Sequence, residues 1–315
     1  MSGFVIASQI GARFDERLRA CLPQATVVSI AQRVPRELPP GTQVLLAVPM
    51  IAPGDRREYP APAGWPGDLR WIQLVSVGID PYPPWLLRAA PVSTARGTSS
   101  QAVAEFAMAA IFAAAKRLPD LWIRDAVQWR HTPLSAVAGS SLGIVGWGGI
   151  ARTLAPMALA LGMRVSVLRR SAAPTGVAGV ETLADLRALM AVSDHLVLAA
   201  PATPQTRHLI NREALSHARP GLHLINVARG SLVDQDALFD ALDSGRLSRA
   251  TLDVTEPEPL PAGHPLYAHP RAWITPHTSS ISPATEDAFL AKVLRGIERL
   301  QAGEMPEDLL EAGGG

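Results

Sequence analysis

The chain has 315 residues, of which 48% are hydrophobic and 18% are charged. This composition can bury a sizeable core and excludes a disordered chain, and the length exceeds what one core usually organises, so two domains are expected. The 29 basic and 28 acidic residues nearly balance, with no long run of one sign. We therefore expect no nucleic-acid partner and no anionic membrane, and a small molecule is the expected partner.

The cysteine content excludes further classes of protein. Cys21 is the only cysteine, so no intrachain disulfide can form, and neither a CxxC pair nor an HExxH helix offers a metal framework. We expect no metal and a reducing compartment, the cytoplasm. The apolar stretch near the N-terminus is too short for a signal peptide or a membrane span.

Short apolar or β-branched runs recur between helical stretches along the whole chain. Their regular alternation predicts parallel sheets, and their continuous apolarity predicts strands covered by helices on both faces. The predicted strands are 4–7, 26–30, 44–48, 71–75, 142–145, 165–168, 196–199, 222–226, 250–254 and 273–275.

Two helices stand out against this pattern. The apolar stretch 103–115 predicts a buried helix, which a proline-rich patch and the segment 91–100 precede, and Thr98 and Gln101 are suited to a capping pair at its start. A domain boundary is therefore expected near residue 98. The stretch 283–300 predicts a second helix, and the terminal AGGG carries no pattern.

A glycine-rich turn lies between two predicted strands. Gly146, Gly148 and Ala151 have G-x-G-x-x-A spacing, followed by a helical stretch and a second strand. Gly146 permits a tight turn, Gly148 lets the backbone approach a pyrophosphate, and Ala151 keeps helix and strand close. A glycine-rich connector is the alternative, but the flanking strands favour a dinucleotide site. Its predicted cofactor contacts are Gly146, Trp147, Gly148, Gly149 and Ile150.

The end of the second strand of this unit indicates which dinucleotide binds. An acidic residue usually stands there and binds the adenosine ribose of NAD. This chain has Arg169, Arg170 and Ser171 instead, and forked donors suit a 2′-phosphate. NADP is therefore the preferred cofactor and NAD the alternative. Two surface arginines that merely solvate the strand end are the competing interpretation.

Further motifs follow in the second half of the chain: LINVARGSLVDQDAL at 224–238, ATLDVTEPEPLP at 250–261 and HPLYAHPRAWITPHTSS at 264–280. Together with VSVGID at 75–80, AVAEFA at 102–107, PATPQTRHLI at 201–210 and the glycine turn, they resemble the D-isomer-specific 2-hydroxyacid dehydrogenase family. The resemblance runs from about residue 71 to residue 277.

The resemblance implies a catalytic set of Arg229, Glu258 and His277. A histidine titrates near neutral pH and can protonate a carbonyl oxygen as hydride arrives at carbon, and a carboxylate favours its charged form. Arg229 can pair with the substrate carboxylate and polarise the neighbouring carbonyl. Glu256 is a rival for the acid, but the family pattern places that residue immediately before Pro-Leu-Pro, which selects Glu258.

The resemblance also implies a fold and further contacts. We expect two Rossmann-like, doubly wound α/β domains with parallel sheets and a cleft between them: a cofactor domain at 98–282 inserted into a substrate domain at 1–97 and 283–315. A homodimer and NADPH-linked reduction of glyoxylate or hydroxypyruvate are expected. The backbone N–H groups of Val77 and Gly78 would bind the substrate carboxylate, Asp253 would bind the nicotinamide amide, and the cofactor cleft would be lined by Pro201, Thr206 and Val227.

Other functions stay open at this point. A dinucleotide-sensing, corepressor-like binding protein is the main alternative, since some relatives in this family have that role, and a ligand-binding protein without redox chemistry is a third. Formate dehydrogenases share the fold but would have glutamine where this chain has Glu258. Gly149 and Ala202 depart from the basic and larger apolar residues that the family often has, so phosphate contacts and cleft shape are expected to differ.

Overall fold

The computed structural model describes residues 3–52, 57–118, 120–171 and 173–310. The terminal AGGG therefore lies outside the described residues. The strands are β1 (Val5–Ser8), β2 (Thr26–Ser29), β3 (Thr42–Ala47), β4 (Trp71–Leu74), β5 (Val92–Ser93), β6 (Ser141–Val145), β7 (Arg164–Leu168), β8 (Val180–Thr182), β9 (His195–Leu198), β10 (Leu222–Asn226), β11 (Leu247–Leu252) and β12 (Ala272–Ile274). The α-helices are α1 (Ala12–Cys21), α2 (Ser100–Ala115), α3 (Gly149–Ala160), α4 (Leu186–Val192), α5 (Arg212–Ser216), α6 (Gln235–Asp243), α7 (Pro265–Ala268) and α8 (Pro283–Gln301).

The chain divides into two compact units. The first comprises Met1–Ser99 and Ser282–Gly315. Its sheet has the order β2-β1-β3-β4-β5, and all of its strand pairs are parallel. Helices α1 and α8 supply Phe14, Leu18 and Phe289 to one core cluster, and a second cluster forms around Tyr82 and Leu86. Both clusters draw on the apolar strands, which explains why these strands carry continuous hydrophobic runs.

The second unit, Ser100–Ile281, has a seven-stranded parallel sheet of order β12-β11-β10-β9-β6-β7-β8. From β6 the chain first adds strands on one side and then, from β9, on the other, so the strand order reverses between β6 and β9. Helices α2 and α3 contribute to one core cluster, and α4, α5 and α6 contribute to another. The predicted class of two α/β domains with parallel sheets is confirmed.

One local expectation was wrong, and two strands were not predicted. The strands that were not predicted are β8 and β5, which lies in the segment 91–100 before α2. The capping pair does not form, because the Thr98 hydroxyl donates to the Ala95 carbonyl at 2.9 Å and the Gln101 amide donates to Glu105 at 2.6 Å. Within the described ranges, no helix combines the length and apolarity that crossing a membrane requires.

Candidate active site

The predicted cofactor and catalytic residues of the second unit cluster at one edge of its sheet. Parallel strands all end at the same edge, and ligands of doubly wound folds bind there, where the strand order reverses. Gly146 follows β6, Val227 follows β10 and Asp253 follows β11. His277 comes shortly after β12. The sheet topology therefore brings motifs that are far apart in sequence to one edge.

Gly146 closes the turn against the neighbouring strand end. Its φ is +102°, and a Cβ placed there would lie 2.7 Å from the carbonyl oxygen of Ala199, which directly follows β9. Such a contact is closer than real Cβ atoms make, so this position requires glycine both for its backbone angle and for its close packing. The turn is therefore built into the point where the strand order reverses.

Gly148, unlike Gly146, has open space where a side chain would begin. A Cβ at this position would meet no atom within 4 Å, so the backbone is open on that side. Gly148 is the N-cap of α3, where it offers no side chain to occupy the first N–H groups, and Gly149 and Ile150 begin the helix. Ala151 is fully buried beneath this turn. Open space beside free N–H groups fits the pyrophosphate of a dinucleotide.

The residues after β7 are basic, as the sequence indicates. Arg169 Nη1 donates to the carbonyl of Pro174 at 3.2 Å, while its Nε is buried and has no partner among the described residues. Arg170 and Ser171 are exposed. The Trp147 indole donates to the carbonyl of Thr175 at 3.0 Å and so joins the glycine turn to this loop. A buried unpaired donor beside an exposed guanidinium fits an anionic group of the cofactor.

His277 and Glu258 form a pair. The Nδ1 atom of His277 lies 2.6 Å from Oε1 of Glu258, and the two side chains are 44% and 27% exposed. The hydrogen bond to Glu258 raises the pKa of His277, against the opposing effects of burial and of the Arg229 charge. The pair therefore favours the charged imidazolium and commits Nδ1 to the carboxylate. Nε2 is the ring nitrogen left to face a substrate.

The backbone at His277 is also fixed. Its φ is +49°, and its N–H donates to the carbonyls of Asp253 at 2.9 Å and Thr275 at 3.0 Å. A histidine with positive φ is uncommon and costs energy that the surroundings must supply. These two hydrogen bonds hold the backbone from which the ring extends, and the ring itself is oriented by its hydrogen bond to Glu258.

Glu256, the rival for the acid, has different partners. Its Oε1 lies 2.8 Å from Nη1 of Arg207, and its Oε2 lies 3.8 Å from Nε2 of His208. The structure thus pairs Glu258, and not Glu256, with His277.

Arg229 lies in the loop that follows β10. The Asn226 amide donates to the Arg229 carbonyl at 2.8 Å, and Arg229 Nη1 donates to the Ala228 carbonyl at 2.8 Å. Its charge lowers the pKa of His277, which places the guanidinium within electrostatic reach of the ring. The next residue, Gly230, packs against the backbone of Thr255, so the arginine loop and the loop that carries Glu258 are in contact.

Asp253 has a role that sequence reasoning missed. It is 1% exposed, and its Oδ1 accepts hydrogen bonds from the Thr275 hydroxyl at 2.7 Å and the Thr278 N–H at 2.9 Å. Its Oδ2 accepts from the Ser279 N–H at 3.1 Å. The carboxylate therefore anchors the loop that carries His277. Its contact with the nicotinamide amide stays a prediction. The sequence offers little signal for the anchor, because the Thr/Ser-rich segment that Asp253 holds begins 22 residues later, at Thr275.

The other predicted cleft residues have local contacts. The Thr206 hydroxyl donates to the Pro201 carbonyl at 2.8 Å and accepts from the Thr203 N–H at 2.7 Å, which makes a compact turn after β9. Val227 is 7% exposed and packs in the core beside α2 and α3. The contacts of these residues with a cofactor stay predictions.

Val77 and Gly78 belong to the first unit, in the loop after β4. Val77 is 51% exposed. The Ser76 hydroxyl donates to the Gly78 carbonyl at 2.7 Å and lies 2.9 Å from the Tyr82 hydroxyl, so the loop has its own internal bracing. Their contact with a substrate carboxylate stays a prediction.

Comparison with known proteins identifies the family. Residues 108–279 match the family described as D-isomer specific 2-hydroxyacid dehydrogenase, NAD binding domain. Glyoxylate/hydroxypyruvate reductase A of Serratia proteamaculans is 30% identical over 257 residues, which cover 78% of this chain and 81% of that protein. A solved D-isomer specific 2-hydroxyacid dehydrogenase from Xanthobacter autotrophicus, in complex with NADPH and MES, is 28% identical, with 99% and 98% of the two chains covered and a TM-score of 0.78. A solved family protein from Aeromonas salmonicida has 27% identity, 99% coverage of both chains and a TM-score of 0.82.

The chain belongs to the D-isomer specific 2-hydroxyacid dehydrogenase family. It is an NAD(P)-linked oxidoreductase that acts on the CH–OH group of its donors.

Proposed function

We propose that this protein reduces a small 2-oxo acid, glyoxylate or hydroxypyruvate, with NADPH. The observation that carries the proposal is the His277–Glu258 pair, 2.6 Å apart, at the same sheet edge as the glycine turn. A charged imidazolium held by a carboxylate is a general acid for a carbonyl oxygen, and Nε2 is free to donate to it. Arg229 is suited to bind the substrate carboxylate, which a permanently charged fork does well.

The residues that would hold the cofactor are the glycine turn from Gly146 to Ile150, the Arg169–Ser171 stretch and the predicted cleft residues. When bound, the nicotinamide supplies the hydride. The preference for NADP is supported by the exposed Arg170 and Ser171 and by the buried, unpaired Nε of Arg169 among the described residues. The similar Xanthobacter dehydrogenase was solved with NADPH.

The choice of substrate is supported by the name of the Serratia relative, a glyoxylate/hydroxypyruvate reductase. We assign cofactor binding to the domain at 98–282 and substrate binding to the remainder, where the N–H groups of Val77 and Gly78 would take the substrate carboxylate. The cytoplasm is the proposed compartment.

A homodimer belongs to the same proposal. Large apolar side chains are concentrated and exposed in the segment 122–134, with Trp122 at 70%, Val127 at 88% and Trp129 at 76%. Exposed apolar surface of this kind marks interaction sites. Light scattering should give twice the chain mass for the wild type and a lower mass for Trp129→Glu; a monomeric wild type would refute the dimer.

The test of function follows the nicotinamide absorbance with NADPH and NADH against glyoxylate, hydroxypyruvate, pyruvate, phenylpyruvate and 2-ketogluconate. We expect turnover with NADPH and a small 2-oxo acid. His277→Ala should lose turnover and keep NADPH affinity. Binding of NADPH with no turnover of any substrate would replace the reductase by a dinucleotide-sensing role.

Cofactor choice is tested separately. Arg169→Asp and Arg170→Asp should shift preference toward NADH, because a carboxylate repels the 2′-phosphate and can accept from a ribose hydroxyl. Arg246→Asp, an exposed charge reversal before β11 at the other edge of the sheet, should leave preference unchanged. Equal preference in all three variants and the wild type would remove the role assigned to these arginines.

A further inference from the structure

Gln235, the first residue of α6, binds both backbone polar groups of Glu256. Its Nε2 donates to the Glu256 carbonyl, and its Oε1 accepts from the Glu256 N–H at 3.1 Å. One side-chain amide thus satisfies the donor and the acceptor of a residue 21 positions away. An amide can do this because it carries a donor and an acceptor side by side.

The residues on either side of Glu256 are pinned as well. Val254 and Thr255 are 2% and 8% exposed, and the Thr255 hydroxyl donates to the Pro257 carbonyl at 2.9 Å. Leu260 is 4% exposed, and its carbonyl accepts from the Tyr267 hydroxyl at 3.2 Å. The loop 254–260 has no strand or helix of its own, so these contacts decide where Glu258 lies.

Gln235 is held firmly enough to act as an anchor. The Asp234 side chain caps α6 by accepting from the N–H groups of Asp236 and Ala237, each at 3.1 Å. Ala237 and Leu238 are buried in the core of the second unit. The first turn of α6 is therefore fixed by its cap and by packing, and the amide projects from a rigid element.

His277 has an anchor that is independent of Gln235, namely the Asp253 carboxylate, which accepts from Thr275, Thr278 and Ser279. Asp253 is itself held at the end of β11, where its N–H donates to the Asn226 carbonyl at 3.0 Å. The distance between Glu258 and His277 thus depends on how the segment that follows Asp253 is held. A movement of the loop 254–260 would separate the pair while leaving the histidine in place.

We propose that Gln235 is a positioning residue for the acid–base pair: its amide clasps the backbone of Glu256 and fixes the loop that presents Glu258 to His277. This inference rests on the proposed function, in which the pair delivers the proton. It also gives Glu256 a task as the point at which the loop is held. The ion pair between Arg207 and the Glu256 carboxylate is not part of the clasp, because its side chains are 54% and 40% exposed and such pairs contribute little.

The charged groups that act on His277 are Glu258, Arg229 and Asp253. The hydrogen bond to Glu258 is the largest influence that raises the pKa of His277, and burial and Arg229 act against it. Withdrawal of the Glu258 carboxylate therefore lowers the pKa of His277. This change reports on the position of Glu258 and not on overall stability.

The test is a titration of the His277 ring by NMR in the full chain, with its signal assigned by its absence in His277→Asn. Gln235→Met keeps the length of the side chain and removes both hydrogen bonds. We expect its His277 pKa to move down, toward the value in Glu258→Gln. The matched control is Arg207→Met, which removes one bond to the same glutamate and should leave the pKa of His277 at the wild-type value.

The clasp is refuted when Gln235→Met leaves the pKa of His277 unchanged, or when Arg207→Met lowers it equally. Gln235→Asn, which withdraws the amide by one methylene, decides by the same criterion should the methionine variant not fold. Turnover is a separate readout, where Gln235→Met should lose about 10-fold in kcat/KM, since misplacement of a catalytic group by a fraction of an ångström is costly. A wild type without turnover would defeat the proposed function, while the titration would still decide the clasp.

Discussion

Gly230→Ala is the substitution that most directly tests how the loops of the site fit together. A Cβ on Gly230 would lie 2.0 Å from the carbonyl carbon and oxygen of Thr255 and 2.6 Å from the nitrogen of Glu256. Ordinary van der Waals contact begins at 3.4 Å, so one of the two loops must retreat by about 1.4 Å. Backbone atoms cannot swing aside as a side chain can, and the displacement therefore reaches Glu258 or Arg229.

The size of the effect follows from this displacement. A misplacement of about 1 Å at a reacting centre costs about 10²-fold in rate, which corresponds to about 2.7 kcal/mol of activation free energy. We therefore expect kcat/KM to fall at least about 10²-fold. Overpacking should also cost about 1–3 kcal/mol of folding free energy. NADPH affinity should fall less than kcat/KM, because the glycine turn around Gly148 belongs to another loop and only the predicted contacts Val227 and Asp253 adjoin the displaced segments.

The assay measures kcat/KM, NADPH affinity and urea unfolding for Gly230→Ala beside Gly221→Ala. Gly221 lies just before β10, at the other end of that strand, with φ +85°, and a Cβ added to it would meet no atom within 4 Å. Its substitution should cost about 1–2 kcal/mol of stability through the left-handed backbone and leave kcat/KM unchanged. Near-wild-type kcat/KM in a folded Gly230→Ala protein would refute the reasoning.

Three further predictions concern residues outside this contact. Tyr82→Phe removes the hydroxyl that lies 2.9 Å from the Ser76 hydroxyl and braces the loop of Val77. The KM for the 2-oxo acid should therefore rise about 3- to 10-fold with kcat retained, and steady-state kinetics with an unchanged KM would contradict this. Lys292→Met leaves the Asp308 carboxylate without its partner, a lysine that is 5% exposed, and should lower the free energy of unfolding by about 2 kcal/mol. The loss should be smaller than for a fully buried pair because Asp308 is 27% exposed. Urea denaturation tests this, and an unchanged midpoint would argue against it. Burial lowers the pKa of His195 from 6.5 to about 4, so the unfolded chain binds more protons between these values, and His195 should lower the stability by on the order of 3 kcal/mol as pH drops from about 6.5 to 4. Burial also lowers the pKa of His223, whose Nδ1 lies 3.2 Å from that of His195, so His195→Gln should reduce the pH dependence of stability without abolishing it. Denaturation series at several pH values test this, and parallel curves for the two proteins would exclude His195 as a cause.

The strands that could be predicted are those covered on both faces. The run 222–226 coincides with β10, whose five residues are all buried. Leu222, Leu224 and Ile225 supply the apolar signal expected of a covered strand. The two polar residues of the strand are buried with hydrogen-bond partners, His223 with the Thr251 hydroxyl and Asn226 with the Arg229 carbonyl. Strand β8 lies at the edge of its sheet and is half-exposed or exposed throughout, so its residues Val180, Glu181 and Thr182 form no apolar run. Strand β5 is only two residues long, and no periodicity can be detected over that length.

The parts of the site that could be predicted are those where the backbone geometry requires one residue type. Gly146 and Gly148 are such positions, since the structure shows close packing against the first and open space beside the second. The choice between Glu256 and Glu258 has no such local cause. Both are carboxylates in a proline-rich loop, and their partners, Arg207 for Glu256 and His277 for Glu258, come from distant parts of the chain. Resemblance to the family selected Glu258, and composition and spacing could not.

Asp253 can both anchor the loop of His277, as the structure shows, and bind the nicotinamide amide, as the family resemblance implies. An ionised carboxylate offers about four acceptor positions, and the loop of His277 uses three of them through Thr275, Thr278 and Ser279. One position on Oδ2 is left, which is enough for a single N–H donor such as the predicted nicotinamide amide. Loop anchoring and cofactor contact would therefore share Oδ2 without competing for the same acceptor position. A residue with both tasks would couple the orientation of His277 to occupancy of the neighbouring cofactor site, since both depend on where this one carboxylate lies.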